Sequence, residues 1–128
     1  MTKYLIGAGG WAYFQVPRMH PLVAYSKAFD FVEVNSTFYE IPSLKTVESW
    51  RRLVPPNFNF AVRCNKALTH EYRFRPSPEA FDVLKRMIAI CSTLRAEILH
   101  LQTPPTFEPT ETNAELIRNF FSSADLKN

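Results

Sequence analysis

Four short apolar runs punctuate the chain: Tyr4–Ile6, Phe31–Val34, Phe58–Val62 and Ile98–Leu101. Each is rich in β-branched or aromatic residues, so each predicts a strand. Between the runs the apolar positions change period. Leu22, Tyr25 and Phe29 fall at helical spacing, and Leu44, Val47 and Val54, with Trp50, form a looser stripe behind Ser43. Phe81, Leu84, Ile88 and Cys91 make a cleaner stripe. It opens with Ser77 as N-cap and Pro78 at the first helical position, where a missing N–H leaves no bond unmade. The last stripe, Leu116, Ile117, Phe120 and Phe121, follows Thr112-Asn113-Ala114-Glu115, which reads as a capping box. The predicted order is βαβαβαβα. Such alternation means a parallel sheet, because each strand must return by a helical crossover. The expected fold class is therefore α/β, with four parallel βα units in one domain over residues 1–128 and no visible linker or sequence repeat.

Composition narrows this little. A chain of 128 residues with 46% hydrophobic residues can bury one core but hardly two. Charged residues at 21%, three glycines confined to positions 7–10 and ten scattered prolines exclude disordered, collagen-like and coiled-coil classes. No apolar run approaches the roughly 20 residues of a membrane span, and Met1–Ile6 enters a strand-like run rather than a signal peptide. Cys64 and Cys91 match neither a metal spacing nor a disulfide framework. Both are expected as buried, reduced thiols of a cytoplasmic protein. A net charge of +3 permits an anionic partner without demanding one.

Gly7-Ala8-Gly9-Gly10-Trp11-Ala12 fits the loose form G-x-G-x-x-A, with Glu33 at the second strand. A dinucleotide site needs a helix to begin at those glycines, so that its N-terminus meets the phosphates. The segment that follows contains Pro17 and Pro21, and helical periodicity starts only at Leu22. Dinucleotide binding through Gly7 and Gly9 is thus the weaker alternative, and a tight turn into a long loop reads better.

Parallel strands covered on both faces should be continuously aliphatic. These are not. Glu33 and Asn35 share one face of the second strand, Arg63 and Asn65 one face of the third, and His100 and Gln102 one face of the fourth. Polar groups at the C-terminal ends of parallel strands sit where α/β folds place their chemistry. Glu33 and Arg63 are expected to be buried and to answer each other or a ligand, as a functional pair or as a structural bridge. His100 is expected to be a hydrogen-bonded core histidine.

After the third strand, Arg63, Lys66, His70, Arg73 and Arg75 alternate with Tyr72 and Phe74, opposed only by Glu71. This stretch reads as an anion-binding loop, with Arg offering bidentate contacts and Lys a point charge. Interleaved aromatics also suit single-stranded nucleic acid, while Arg73 and Arg75 read best as ordinary surface charge. The absence of G-x-S-x-G and P-loop patterns disfavours acyl-serine hydrolysis and Walker-type phosphoryl transfer. Three scattered histidines give weak support for a metal, and no cofactor is indicated.

The residues also resemble a known family. Ile6-Gly7-Ala8-Gly9-Gly10-Trp11-Ala12-Tyr13 and Val32-Glu33-Val34-Asn35-Ser36-Thr37-Phe38-Tyr39 with Pro42 carry the resemblance, with Trp50 and Pro55. It continues through Phe58-Asn59-Phe60-Ala61-Val62-Arg63, Thr69-His70 and Gln102-Thr103-Pro104-Pro105. In this order they are similar to the YecE-like family, catalogued as domain of unknown function 72. The resemblance implies a (β/α)8 TIM-barrel fold and no established activity. Such a barrel takes about 250 residues, so this chain corresponds to its N-terminal half, a parallel (β/α)4 half of a TIM barrel. Ala8-Gly9-Gly10 departs from the family's usual Thr-Ser-Gly, Arg63 from a frequent Lys, and Thr103 from a common Gln-Leu-Pro-Pro.

The resulting expectation is a site at the strand C-termini for a small, anionic substrate. Glu33 would act as general acid or base tuned by Arg63. Asn35 and Gln102 would orient the substrate, Lys66 and His70 would bind its anionic group, and Trp11 and Tyr13 would wall the pocket. The alternative is a non-catalytic nucleic-acid-binding or scaffold module using residues 63–75. A second half-barrel, either another copy or a separately encoded half, is the expected partner, because four units leave two unpaired strand edges.

Overall fold

A computed structural model describes residues 1–126. Strands β1 (Gly7–Gly9), β2 (Phe31–Val34), β3 (Asn59–Arg63) and β4 (Ile98–His100) alternate with helices α1 (Pro21–Ala28), α2 (Leu44–Leu53), α3 (Pro78–Leu94) and α4 (Glu111–Ser123). All neighbouring strands pair in parallel, in the order β1-β2-β3-β4. Crossovers of one hand between successive strands place their helices on one face of the sheet. Val32, Val34, Phe60 and Val62 point to that face and are buried with Leu22, Val47, Leu84, Met87 and Ile90. The alternate positions, Glu33, Ala61, Arg63, Ile98 and His100, lie on the other face. This is the arrangement of half a (β/α)8 barrel, and the expected fold class holds.

The capping chemistry reads through cleanly at α3, where the Ser77 hydroxyl accepts from Ala80 N at 3.1 Å. Elsewhere the boundaries move. Helix α4 starts two residues before the expected box: Thr110, not Thr112, is its N-cap and accepts from Asn113 N at 3.1 Å. Of the expected first strand, Tyr4 and Ile6 are exposed and the pairing starts at Gly7. Bare backbone explains the shift, since a Cβ on Gly7 would stand 1.9 Å from the Phe31 carbonyl oxygen. The dinucleotide reading falls with it, because Gly7 and Gly9 lie within a strand and no helix begins before Pro21. Beyond β3, the stretch expected as a loop contains a π-helical turn, Ala67–Tyr72. Among the described residues no helix is long and apolar enough to cross a membrane.

Tyr25 locks β1 to β2. Its buried hydroxyl accepts from Ala8 N at 2.6 Å and donates to the Phe31 carbonyl at 2.7 Å. Tyr25→Phe leaves both backbone groups without that partner and should cost about 1–3 kcal/mol. Urea denaturation of the two chains measures it, and a loss under 0.5 kcal/mol, the usual range of a surface change, would show that the bridge is dispensable.

Candidate functional site

The register decides which polar side chains meet. Glu33 stands opposite Ala61, whereas Arg63 stands opposite His100. With only a methyl group between them on β3, Glu33 reaches across to β4, where its Oε1 lies 3.0 Å from His100 Nδ1. The contact is an ion pair when the imidazole is protonated. The expected Glu33–Arg63 pair does not form. Glu33 is half-buried rather than buried, and His100 is no core histidine, for its side chain is 44% exposed on the helix-free face. The sequence did hold a signal for His100. Leu99 and Leu101 alternate with it and pack towards the core, which puts His100 and Gln102 on the inward face.

Arg63 takes a different partner. Its guanidinium carbon sits 3.9 Å from the centre of the Phe38 ring, and its Nε is buried without a hydrogen-bond partner. Arg51 shows the contrast. It too lies over a phenylalanine, Phe60 at 5.1 Å, and its Nε is likewise buried without a partner, but its two Nη groups donate to the carbonyls of Phe58, Leu94 and Pro55 and tie α2 to the opposite end of the sheet. Burial pushes Arg51 below the usual arginine value, with Arg95 adding to the effect. Arg51 is spent on structure. Arg63 is held by a ring quadrupole and makes no side-chain hydrogen bond among the described residues.

His70 meets the same ring edge-on, 5.1 Å between centroids, and its Nδ1 is 2.8 Å from the buried Thr69 hydroxyl. Arg63 and His70 thus flank Phe38 together. A cleft of about 440 Å³ at the ends of β1 and β2 gathers three other expected residues, Trp11, Tyr13 and Asn35, with Tyr39 opposite. Trp11 is braced by Trp50, 5.2 Å away at 77°, while Tyr13 is fully exposed. Asn35 has a buried Oδ1 with no partner, and its Nδ2 lies 2.3 Å from where a Cβ on Gly9 would sit, so this wall needs glycine. Lys66 and Gln102 are exposed, and their side chains hydrogen-bond to none of the others.

The basic aromatic stretch does not form a stacking platform. Phe74 is 1% exposed in the core. Arg73 donates to the Thr106 hydroxyl at 2.9 Å and to its carbonyl at 3.1 Å, and Arg75 donates to the Glu71 carbonyl at 3.3 Å. Cys64 is buried as expected, but Cys91 is only half-buried.

The family model described as "Protein of unknown function DUF72" matches residues 5–127. The chain belongs to the DUF72 family. It is 30% identical over 104 residues to the UPF0759 protein YunF of Bacillus subtilis (strain 168), covering 76% of this chain and 36% of that protein. It is 28% identical over 113 residues to the UPF0759 protein YecE of Escherichia coli (strain K12), covering 85% and 40% respectively. A crystal structure of a DUF72 family protein from Enterococcus faecalis V583 superposes with a TM-score of 0.68 at 22% identity, over 91% of this chain and 47% of that one. A second crystal structure gives 0.67 at 22% identity, over 95% and 50%. These likenesses show the fold. The DUF72 chain described here spans half or less of the length of the relatives it matches.

In this DUF72 chain the segment from Glu33 to Tyr39 supplies both inward-face contacts and the ties between strand ends. Glu33 pairs with His100, and Phe38 carries Arg63. Thr37, fully buried, donates its hydroxyl to the Arg63 carbonyl at 2.7 Å, and its own carbonyl accepts from Asn65 Nδ2 at 3.0 Å. Thr37 and Asn65 therefore fix the ends of β2 and β3 side by side, which sets where Glu33 and Arg63 emerge.

Proposed function

We propose that the protein binds a small anionic molecule at the C-terminal ends of its strands and acts on it there. One observation carries the reading: Arg63 is a partly buried cation with no carboxylate partner, preorganised on Phe38 beside the Glu33–His100 couple. A partly buried guanidinium with no charged partner gains from an anion that completes its hydrogen bonds. A carboxylate or phosphate does so with two parallel hydrogen bonds. The Glu33–His100 couple supplies acid–base capacity, and the Trp11–Tyr13–Asn35 cleft receives the rest of the molecule. The residues best placed for an anion are Arg63 and His70, with Lys66 at the rim.

Titration calorimetry at low salt tests this with inorganic phosphate and with a short single-stranded DNA. Phosphate should bind, and Arg63→Gln should weaken it about 10- to 100-fold, the effect of one lost charge-assisted contact. No phosphate binding at low salt overturns the reading. Binding of the DNA alone, falling steeply with salt, would favour a nucleic-acid module instead.

The partner is proposed to be a second half-barrel, another copy or a separately encoded half. Strands β1 and β4 each leave one edge unpaired in the sheet, and Ile6 and Ile98 are 68% and 54% exposed beside those edges. Strand addition satisfies such edges and covers the inward face together. Light scattering on the purified chain should return a dimer or larger species. A monomer that melts cooperatively and binds little hydrophobic dye contradicts it. The free thiols of Cys64 and Cys91 support a reducing, cytoplasmic setting.

A further inference from the structure

We infer that His100 is the group that exchanges a proton with the bound molecule, and that Glu33 is its positioning residue. This rests on the reading above and reverses the role the sequence suggests for Glu33. His100 is the outer member of the couple, with its side chain 44% exposed against 28% for Glu33. The bond between them uses Nδ1, at 3.0 Å from Oε1. When Nδ1 donates its hydrogen to the carboxylate, the neutral ring keeps its lone pair on Nε2, the nitrogen turned away from Glu33. A carboxylate at Nδ1 also stabilises the imidazolium that forms once Nε2 takes a proton, as in other carboxylate–histidine pairs.

The other two histidines lack this arrangement. His20 Nδ1 accepts from Leu22 N at 3.1 Å and serves as the N-cap of α1. His70 Nδ1 meets a hydroxyl, not a carboxylate. Among the three, His100 alone has an acid behind it.

Register supplies the substrate class. Arg63 and His100 are partners across β3 and β4, so their side chains leave the same face about 5 Å apart at the backbone. The proposed anionic group spans from the Arg63 guanidinium, which rests on Phe38, to the imidazole. The fitting molecule is a small carboxylate or phosphate monoester whose exchangeable proton, on a hydroxyl or on the carbon next to the acid group, lies one or two bonds from the anion. In the step, Nε2 takes that proton, the substrate atom keeps the electron pair, and Glu33 balances the imidazolium. The reverse transfer restores the neutral ring.

The test uses the 128-residue chain labelled with ¹⁵N. Long-range ¹H–¹⁵N spectra should show neutral His100 as the Nδ1–H tautomer. Glu33→Ala should shift it towards the Nε2–H form preferred in water. Diethyl pyrocarbonate, read by mass spectrometry, should modify His100 faster than His20, and inorganic phosphate should protect His100 but not His20. Glu33→Gln, which keeps the shape, should keep the tautomer yet slow the modification several-fold. A native Nε2–H tautomer, or modification indifferent to both Glu33 variants, overturns the assignment. Phosphate that binds by calorimetry without protecting His100 also overturns it and leaves the anion site standing. The expected tautomer and Glu33 dependence without phosphate binding would sustain the proton-exchange role and remove the anion site.

Discussion

Phe74→Ala should destabilise the chain by roughly 3–5 kcal/mol, the range for deleting a fully buried aromatic ring. Phe74 is 1% exposed and stands within 5.7–6.1 Å, centre to centre, of Phe107, Phe120 and Phe121. Phe120 in turn stacks on Phe81 at 4.8 Å. The ring therefore joins the turn after β3 to both α3 and α4, and a cavity there cannot collapse onto one flexible neighbour. The backbone makes a second comparison possible. Phe74 has φ +61° and Arg73 φ +50°, the left-handed region that costs a side-chain-bearing residue about 1–2 kcal/mol. Phe74→Gly loses the same ring but relieves the strain, so it should be no less stable than Phe74→Ala. Urea denaturation curves decide. A cost for Phe74→Ala below 1 kcal/mol would mean that the aromatic cluster does not hold these elements together.

Alkali should loosen the fold well before it attacks the covalent chain. Burial pushes the Cys64 thiol from 9.0 to about 12 and the Cys91 thiol to about 11. Both folded values lie above the unfolded ones, so the contribution to stability is whole while the thiols are neutral, below about pH 8.5. As pH rises from there, the unfolded chain releases its thiol protons first, and stability falls until Cys64 itself ionises near pH 12. Three pKa units at about 1.4 kcal/mol each make the Cys64 share about 4 kcal/mol at the alkaline end. Desolvation raises Tyr25 as well, with the same sign. Comparing wild type with Cys64→Ala at pH 7 and pH 11 isolates the thiol: the variant should lose less stability on the alkaline side. Equal losses would assign the decline elsewhere.

Much of the scaffold is legible in the residues, because local chemistry sets it. Strand β2 falls on the Phe31–Val34 run, and α3 begins at its Ser77–Pro78 signal. Misreadings arise where contacts between distant segments decide. Tyr4–Ile6 is as strand-like as β2, yet pairing begins at Gly7, where a side chain would collide with Phe31. Two threonines compete to cap α4, and Thr110 prevails while the Asn113 side chain donates to the Glu108 carbonyl at 2.8 Å. The π turn after β3 has no propensity signature, since it differs from an α-helix by one inserted residue. For the site, alternation gives the face of each polar residue but not its neighbour. Register gives the neighbour, and it sets Glu33 opposite Ala61 so that the carboxylate passes the methyl group and finds His100. Arg63 is correctly placed on the inward face, but its partner is the Phe38 ring, contributed by a 3-10 turn (Ser36–Phe38) that the strand pattern does not reveal.

The anion site at Arg63 is most directly tested by following its Nε–H resonance in the ¹⁵N-labelled chain during a phosphate titration at low salt. That group is buried and without a partner, so it reports on the site itself. Arg63 Nε and the His100 ring should shift together and saturate, while Arg51 Nε, also buried without a partner but at the other end of the sheet with its Nη groups on carbonyls, stays still. Unsaturated shifts spread over Lys66, Arg73 and Arg75, with Arg63 unmoved, would contradict the assignment.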